Sequence, residues 1–325
     1  MVFAHRFFSG GLLVCLLGLL FSPAALALDK KTSSAVSHYI MAIVCDGLGD
    51  VDAAIQEYRK AINTEREVSA IRLNLASSYI KKKDFLKAIA ELKAVVRQDP
   101  QAPQPRVLLS LLYAAQNLPD LAVIEYTRAL ENAAKLTPQN TEIYKDLGIT
   151  YLQQKNFIEA ESTFKLLLSL SGQDAEAHFY LASSYYELKN NPAAEMELKS
   201  AIELKPDYHQ ALNFLGYLYV EEGRSLSQAE ILIRKALEFE PENGAYLDSL
   251  GWFYFQSGQY PEASKYLEKA SKLLEDPIIY DHLGDVYQKS GDAQKALQNW
   301  EKSLQLEPDQ QKVKEKLKKS SAGKR

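Results

Sequence analysis

The chain has 325 residues, 46% hydrophobic and 25% charged, with 42 acidic against 38 basic side chains and a net charge of −4. That balance argues against nucleic acid as a partner, because phosphate binding wants a basic surface. Two cysteines, Cys15 and Cys45, exclude a disulfide framework, and only Cys45 lies outside the leader described next. In chain order, residues 1–27 read as a secretory signal peptide. Met1–Arg6 holds one Arg and one His, and Gly10–Phe21 is almost wholly apolar. Ala25-Leu26-Ala27 puts small residues at the −3 and −1 sites, so cleavage is expected after Ala27. Uncleaved, the same stretch approaches the ~18–20 residues that span a bilayer, which would tether the chain to a membrane. Val14 stands before Cys15 where lipid attachment wants a small residue. Residues 28–34 form a short linker.

From residue 35 a pattern recurs. Its clearest copies are 244–276 and 277–310, offset by 33 residues. Leu250-Gly251 falls over Leu283-Gly284, Tyr254 over Tyr287, Gly258 over Gly291, Ala263 over Ala296 and Leu267 over Trp300. Upstream, the Leu position continues at Leu215, Leu181, Leu147, Leu109, Leu75 and Met41. The steps from Met41 onward are 34, 34, 38, 34, 34, 35 and 33. A small residue always follows: Ala42, Ala76, Ser110, Gly148, Ala182, Gly216, Gly251, Gly284. Three further on stand Cys45, Tyr79, Tyr113, Tyr151, Tyr185, Tyr219, Tyr254 and Tyr287. An alanine recurs at Ala54, Ala88, Ala122, Ala160, Ala194, Ala229, Ala263 and Ala296, followed four residues later by a bulky side chain. A fixed period in this range marks a stacked-repeat architecture.

This spacing resembles the tetratricopeptide repeat, a helix-turn-helix unit. The resemblance implies an all-α, right-handed superhelical solenoid of eight repeats, at about 35–68, 69–102, 103–140, 141–174, 175–208, 209–243, 244–276 and 277–310. The small residue on each first helix is expected to face the alanine on the second, since close helix packing needs small side chains. The Tyr and the bulky residue, such as Phe164 or Trp300, would fill the space between repeats. Gly49, Gly223, Gly258 and Gly291 suit the left-handed turn between helices. Pro119, Pro192 and Pro261 suit the start of second helices. The 38-residue step adds about one helical turn, so the second helix of repeat three should run on to about Leu136. The 35-residue step adds one residue within Glu221–Gln228, so that loop should bulge. Residues 311–325 read as a capping helix, with Val313 and Leu317 inward, followed by a basic tail.

The chain carries no catalytic motif, no cofactor fingerprint and no paired-cysteine or His-Glu-x-x-His metal site. The best metal candidate is Asp281-His282-x-x-Asp285 with Asp248, too few ligands on open helices to expect a metal. His38, His178 and His209 have no visible partner in the sequence. In the family, the concave face is lined by the first helices, two residues before and after each Leu. Here those pairs are Tyr39/Ile43, Leu73/Ser77, Val107/Leu111, Lys145/Ile149, Phe179/Ser183, Asn213/Tyr217, Asp248/Trp252 and Asp281/Asp285. Only Lys145 is basic, so the Lys/Asn/Arg clamp of chaperone-tail-binding members is missing. The resemblance instead points to Tyr217, Asp248, Trp252, Phe255, Asp281 and Asp285 as a groove for a partner's extended segment, carrying Lys or Arg among apolar residues. The expected function is a non-catalytic protein–protein scaffold. A leader plus repeats resembles exported bacterial envelope proteins that assist assembly or secretion, so a periplasmic or outer-membrane-associated location is expected. The alternatives are a membrane-tethered scaffold and an enzyme subunit using the groove.

Overall fold

The computed structural model describes residues 30–322. The expected leader and the end of the basic tail lie outside them. Among the described residues the chain is all-α, with 17 helices and no strand. The described residues divide into two compact units, one ending at Pro138 and the other beginning at Gln139.

The first unit holds α1 (Lys30–Gly47), α2 (Val51–Thr64), α3 (Ser69–Lys81), α4 (Phe85–Gln98), α5 (Pro103–Ala115) and α6 (Pro119–Leu136). Each odd-numbered helix pairs with the next, and successive pairs stack. α1 begins at Lys30, so residues 30–34 are helical where the sequence suggested linker. α6 runs 18 residues, to Leu136, against 14 for α2 and α4. The second unit repeats the arrangement with α7 (Thr141–Gln153), α8 (Phe157–Leu170), α9 (Ala175–Glu187), α10 (Asn191–Leu204), α11 (His209–Glu221) and α12 (Leu226–Phe239). It continues with α13 (Gly244–Gln256), α14 (Tyr260–Leu273), α15 (Pro277–Lys289), α16 (Ala293–Leu306) and the single α17 (Gln311–Ala322).

Local chemistry sets the helix ends. Asp50, Asp84, Asn190 and Asp292 accept a backbone N–H from the first turn of α2, α4, α10 and α16. The turn before each second helix holds one left-handed residue. Four are the expected glycines, and four are Lys83, Asn117, Lys155 and Lys189, at φ near 60°. The 35-residue repeat adds a second left-handed residue, Ser225, beside Gly223, which is the expected bulge.

Packing corrects one expectation. The side chain nearest the small residue of the first helix is the bulky one of the second, with the alanine's carbonyl oxygen also close at Gly216, 3.0 Å from a Cβ placed there. A Cβ on Gly148 would meet the Phe164 ring at 2.6 Å, and one on Gly251 would meet Leu267 Cγ at 2.6 Å. On Gly284 it would run into the Trp300 indole. The alanines are fully buried beside this contact, with Ala122 of α6 the half-buried exception. The first repeat also departs from the pattern. Met41 is 52% exposed, whereas Leu75 and Leu109 are 1% exposed. Those leucines pack in a core that includes the preceding pair of helices, and no helix precedes α1 among the described residues. Cys45 is half-buried against that core.

Candidate partner-binding site

The first helices of the second unit line an open cavity of about 230 Å³. Tyr186 comes from α9, Asn213 and Tyr217 from α11, and Ala245, Asp248 and Ser249 from α13. Leu274, Asp276, Ile278 and Ile279 close it from the α14–α15 loop and the start of α15. Its walls are mainly apolar, with a few polar groups. Tyr186 donates its hydroxyl to Glu221 Oε2 at 2.8 Å and sets its ring edge-on to Phe214. Burial, with Tyr186 and nearby carboxylates, pushes the Tyr217 hydroxyl's pKa far up. Asn213 Oδ1 is buried with no hydrogen-bond partner. Leaving such a group unpaired costs ~1–3 kcal/mol.

Behind the cavity, Asp248 is 6% exposed and accepts from His282 Nδ1 at 2.9 Å. Burial alone would lower the His282 pKa. The charge and hydrogen bond of Asp248, aided by Asp281 and Asp285, outweigh it and hold the imidazole above its ordinary value. Trp252 stacks on the His282 ring at 3.9 Å and on Phe255 at 4.6 Å, each tilted by 11°. Tyr217 and Asp248 therefore line the cavity, and Trp252 and Phe255 join it through His282.

Asp281 and Asp285 are differently engaged. Lys316 of α17 lies 2.7 Å from Asp281 Oδ1 and 2.7 Å from Asp285 Oδ2. Burial raises the Asp285 pKa, and the Lys316 ammonium opposes the rise. The acidic end of the expected groove is thus neutralised from within the chain. The reason is geometric: α17 takes the place of a further first helix. Lys316 stands 35 residues after Asp281, as Lys81 stands 35 after Asp46, its partner at 2.8 Å.

The histidines without visible partners have them. His38 meets Glu57 at 2.6 Å and His178 meets Glu197 at 2.5 Å. Arg72–Glu91 and Arg106–Glu125 share the same separation of 19 residues. The signal lay in the repeat register, a basic or imidazole side chain on the first helix and Glu on the second. His209 instead meets the Tyr246 hydroxyl at 2.8 Å. Among the described residues no three His, Cys, Asp or Glu side chains converge to hold a metal ion. No helix among them is long and apolar enough to cross a membrane.

Stacked helix pairs with small residues at fixed places define a class of repeat protein, and comparison specifies it. Tetratricopeptide repeat matches cover residues 47–112, 145–209, 181–244, 244–275 and 277–310, and the chain belongs to the tetratricopeptide repeat family. Such repeats build protein–protein interaction scaffolds. Among curated proteins, DnaJ homolog subfamily C member 3 of Mus musculus is 20% identical over 214 residues, covering 62% of this chain and 42% of that protein. The chain thus matches less than half of that relative's length. A tetratricopeptide repeat protein from Parabacteroides merdae ATCC 43184 superposes with a TM-score of 0.61 at 19% identity, over 78% of this chain and 98% of that one. Cut9–Hcn1, an APC/C hetero-tetramer, gives 0.57 at 16% identity, over 83% of this chain and 52% of that one. These likenesses show the fold alone.

Proposed function

We infer that the chain is a non-catalytic scaffold whose second unit holds an extended segment of a partner protein against α9, α11, α13 and α15. The cavity of about 230 Å³ between those helices carries the reading. It offers apolar walls at Leu274 and Ile278 beside polar groups, and the Trp252–Phe255 stack adds aromatic surface nearby. Buried aromatic anchors beside fixing polar groups are what concentrates binding energy in a contact surface. A photo-crosslinking residue at Ile278, expressed in the native cell, should capture a defined segment of one protein. The same residue at Ile158, 68% exposed on α8, should not. Equal capture from both positions would overturn the reading.

The cellular setting is part of the proposal. The apolar run Gly10–Phe21 before Ala25-Leu26-Ala27 supports export, with a role in cell-envelope assembly or secretion. N-terminal sequencing of the purified native protein should start at Leu28. A start at Met1 would make the chain membrane-tethered.

A further inference from the structure

We propose that the cavity between α11, α13 and α15 is a receptor for one basic side chain of the bound segment, an ammonium or guanidinium held by Asp248, with Asn213 beside it. This rests on the scaffold reading above and names what the site selects. Among the cavity's few polar groups, the Tyr186 and Ser249 hydroxyls already donate to Glu221 Oε2 and Ala245 O. Asn213 Oδ1 is buried and unpaired. Asp248 spends Oδ1 on His282, and its Oδ2 has no hydrogen-bond partner among the described residues. Asp276 adds a carboxylate at the rim, where its Oδ1 already accepts from Ile278 N at 2.8 Å. Leu274, Ile278 and Ala245 supply an apolar sleeve. An aliphatic stem ending in a cation matches that order of surfaces, because such side chains bury their methylenes and pair their heads. A neutral apolar side chain would fill the sleeve and leave Asp248 Oδ2 without a donor. An acidic one would meet like charge.

His282 governs how strongly the cavity attracts a cation. Its surroundings are Asp248 and Trp252 from α13, Asp281 and Asp285 on its own helix, and Lys316 from α17 bridging those two. Protonated, His282 neutralises Asp248. Deprotonated, it leaves the Asp248 charge to the ligand. Cation binding should therefore tighten as pH rises past the imidazole's titration, which Asp248 holds above its ordinary place.

The test uses n-butylguanidinium and its neutral isostere n-butylurea, titrated into the full chain and followed by ligand-observed NMR. The cation should bind at least about tenfold more tightly than the urea, as charge-assisted pairing to a buried carboxylate implies. The preference should grow with pH, and His282→Gln should keep the preference without the pH dependence. Asp248→Asn should abolish the preference. Equal binding of the two probes by the unmutated chain would overturn the proposal, whether or not that variant folds. Crosslinks from Ile278 to a segment with no Lys or Arg in reach would overturn it too, while leaving the scaffold reading intact. Selective cation binding without any crosslinked partner would do the reverse.

Discussion

Lys83 and Lys155 occupy the same left-handed turn that glycine occupies at Gly49, Gly258 and Gly291. Only the glycines were legible in the sequence, because glycine advertises the conformation and lysine does not. A left-handed L-residue costs ~1–2 kcal/mol, and glycine loses ~0.5–1 kcal/mol of that advantage through unfolded-chain entropy. Lys83→Gly and Lys155→Gly should each therefore stabilise by ~0.5–1 kcal/mol, read as a higher urea midpoint. A lower midpoint for both would contradict the turn geometry. The small-residue position makes the opposite demand. Gly284→Ala would drive a methyl into the Trp300 indole, and overpacking of this kind typically costs ~1–3 kcal/mol. Ala76 and Ala182 coexist with Leu92 and Leu198 at the corresponding places. Trp300→Leu should therefore recover part of the loss, and a double-mutant cycle showing strict additivity would refute the contact.

Among elements, the register was legible because eight copies repeat it, and the helices follow it to α17. What one repeat says about the next was harder to read. The Asp248–His282 bond joins residues 34 apart, and the Lys316 contact with Asp281 joins residues 35 apart. A search for partners three or four residues away along one helix misses both. Hence Tyr217, Asp248 and Trp252 could be placed on first helices from sequence, while the engagement of Asp281 and Asp285 could not. Lys316→Gln should destabilise the last helices by ~1–2 kcal/mol near neutral pH, since it leaves two half-buried carboxylates without their cation. The Asp285 pKa is already raised by burial, so its ionised form works against folding as pH climbs through its titration. Removing Lys316 enlarges that effect. The deficit should accordingly shrink as pH falls and the aspartates protonate, in thermal unfolding from pH 7 to 4. A deficit independent of pH would mean that Lys316 acts by packing alone.

At the scale of the molecule, stacked repeats touch mainly their neighbours, so opening should start at the ends of a stack. α1 exposes Val36, Ile40, Met41, Ile43 and Val44, each between 44% and 56%, whereas Leu75 and Ser78 on α3 are 1% and 0% exposed. In the second unit, α11 and α13 are the helices with the most buried residues. Hydrogen exchange should be fastest in α1 and α2 within the first unit. Within the second, α11–α14 should be slower than α15–α17. Uniform protection along either unit would show a single cooperative block instead.

The placement of α17 also makes molecular length an adjustable quantity. Val313 is 1% exposed in a cluster with Trp300 and Leu317, and Lys316 closes the face beside it. A designer who keeps those four side chains and packs a second helix against α17 would complete a further helix pair. New units could then be added in tandem, each needing only to fit the one before it.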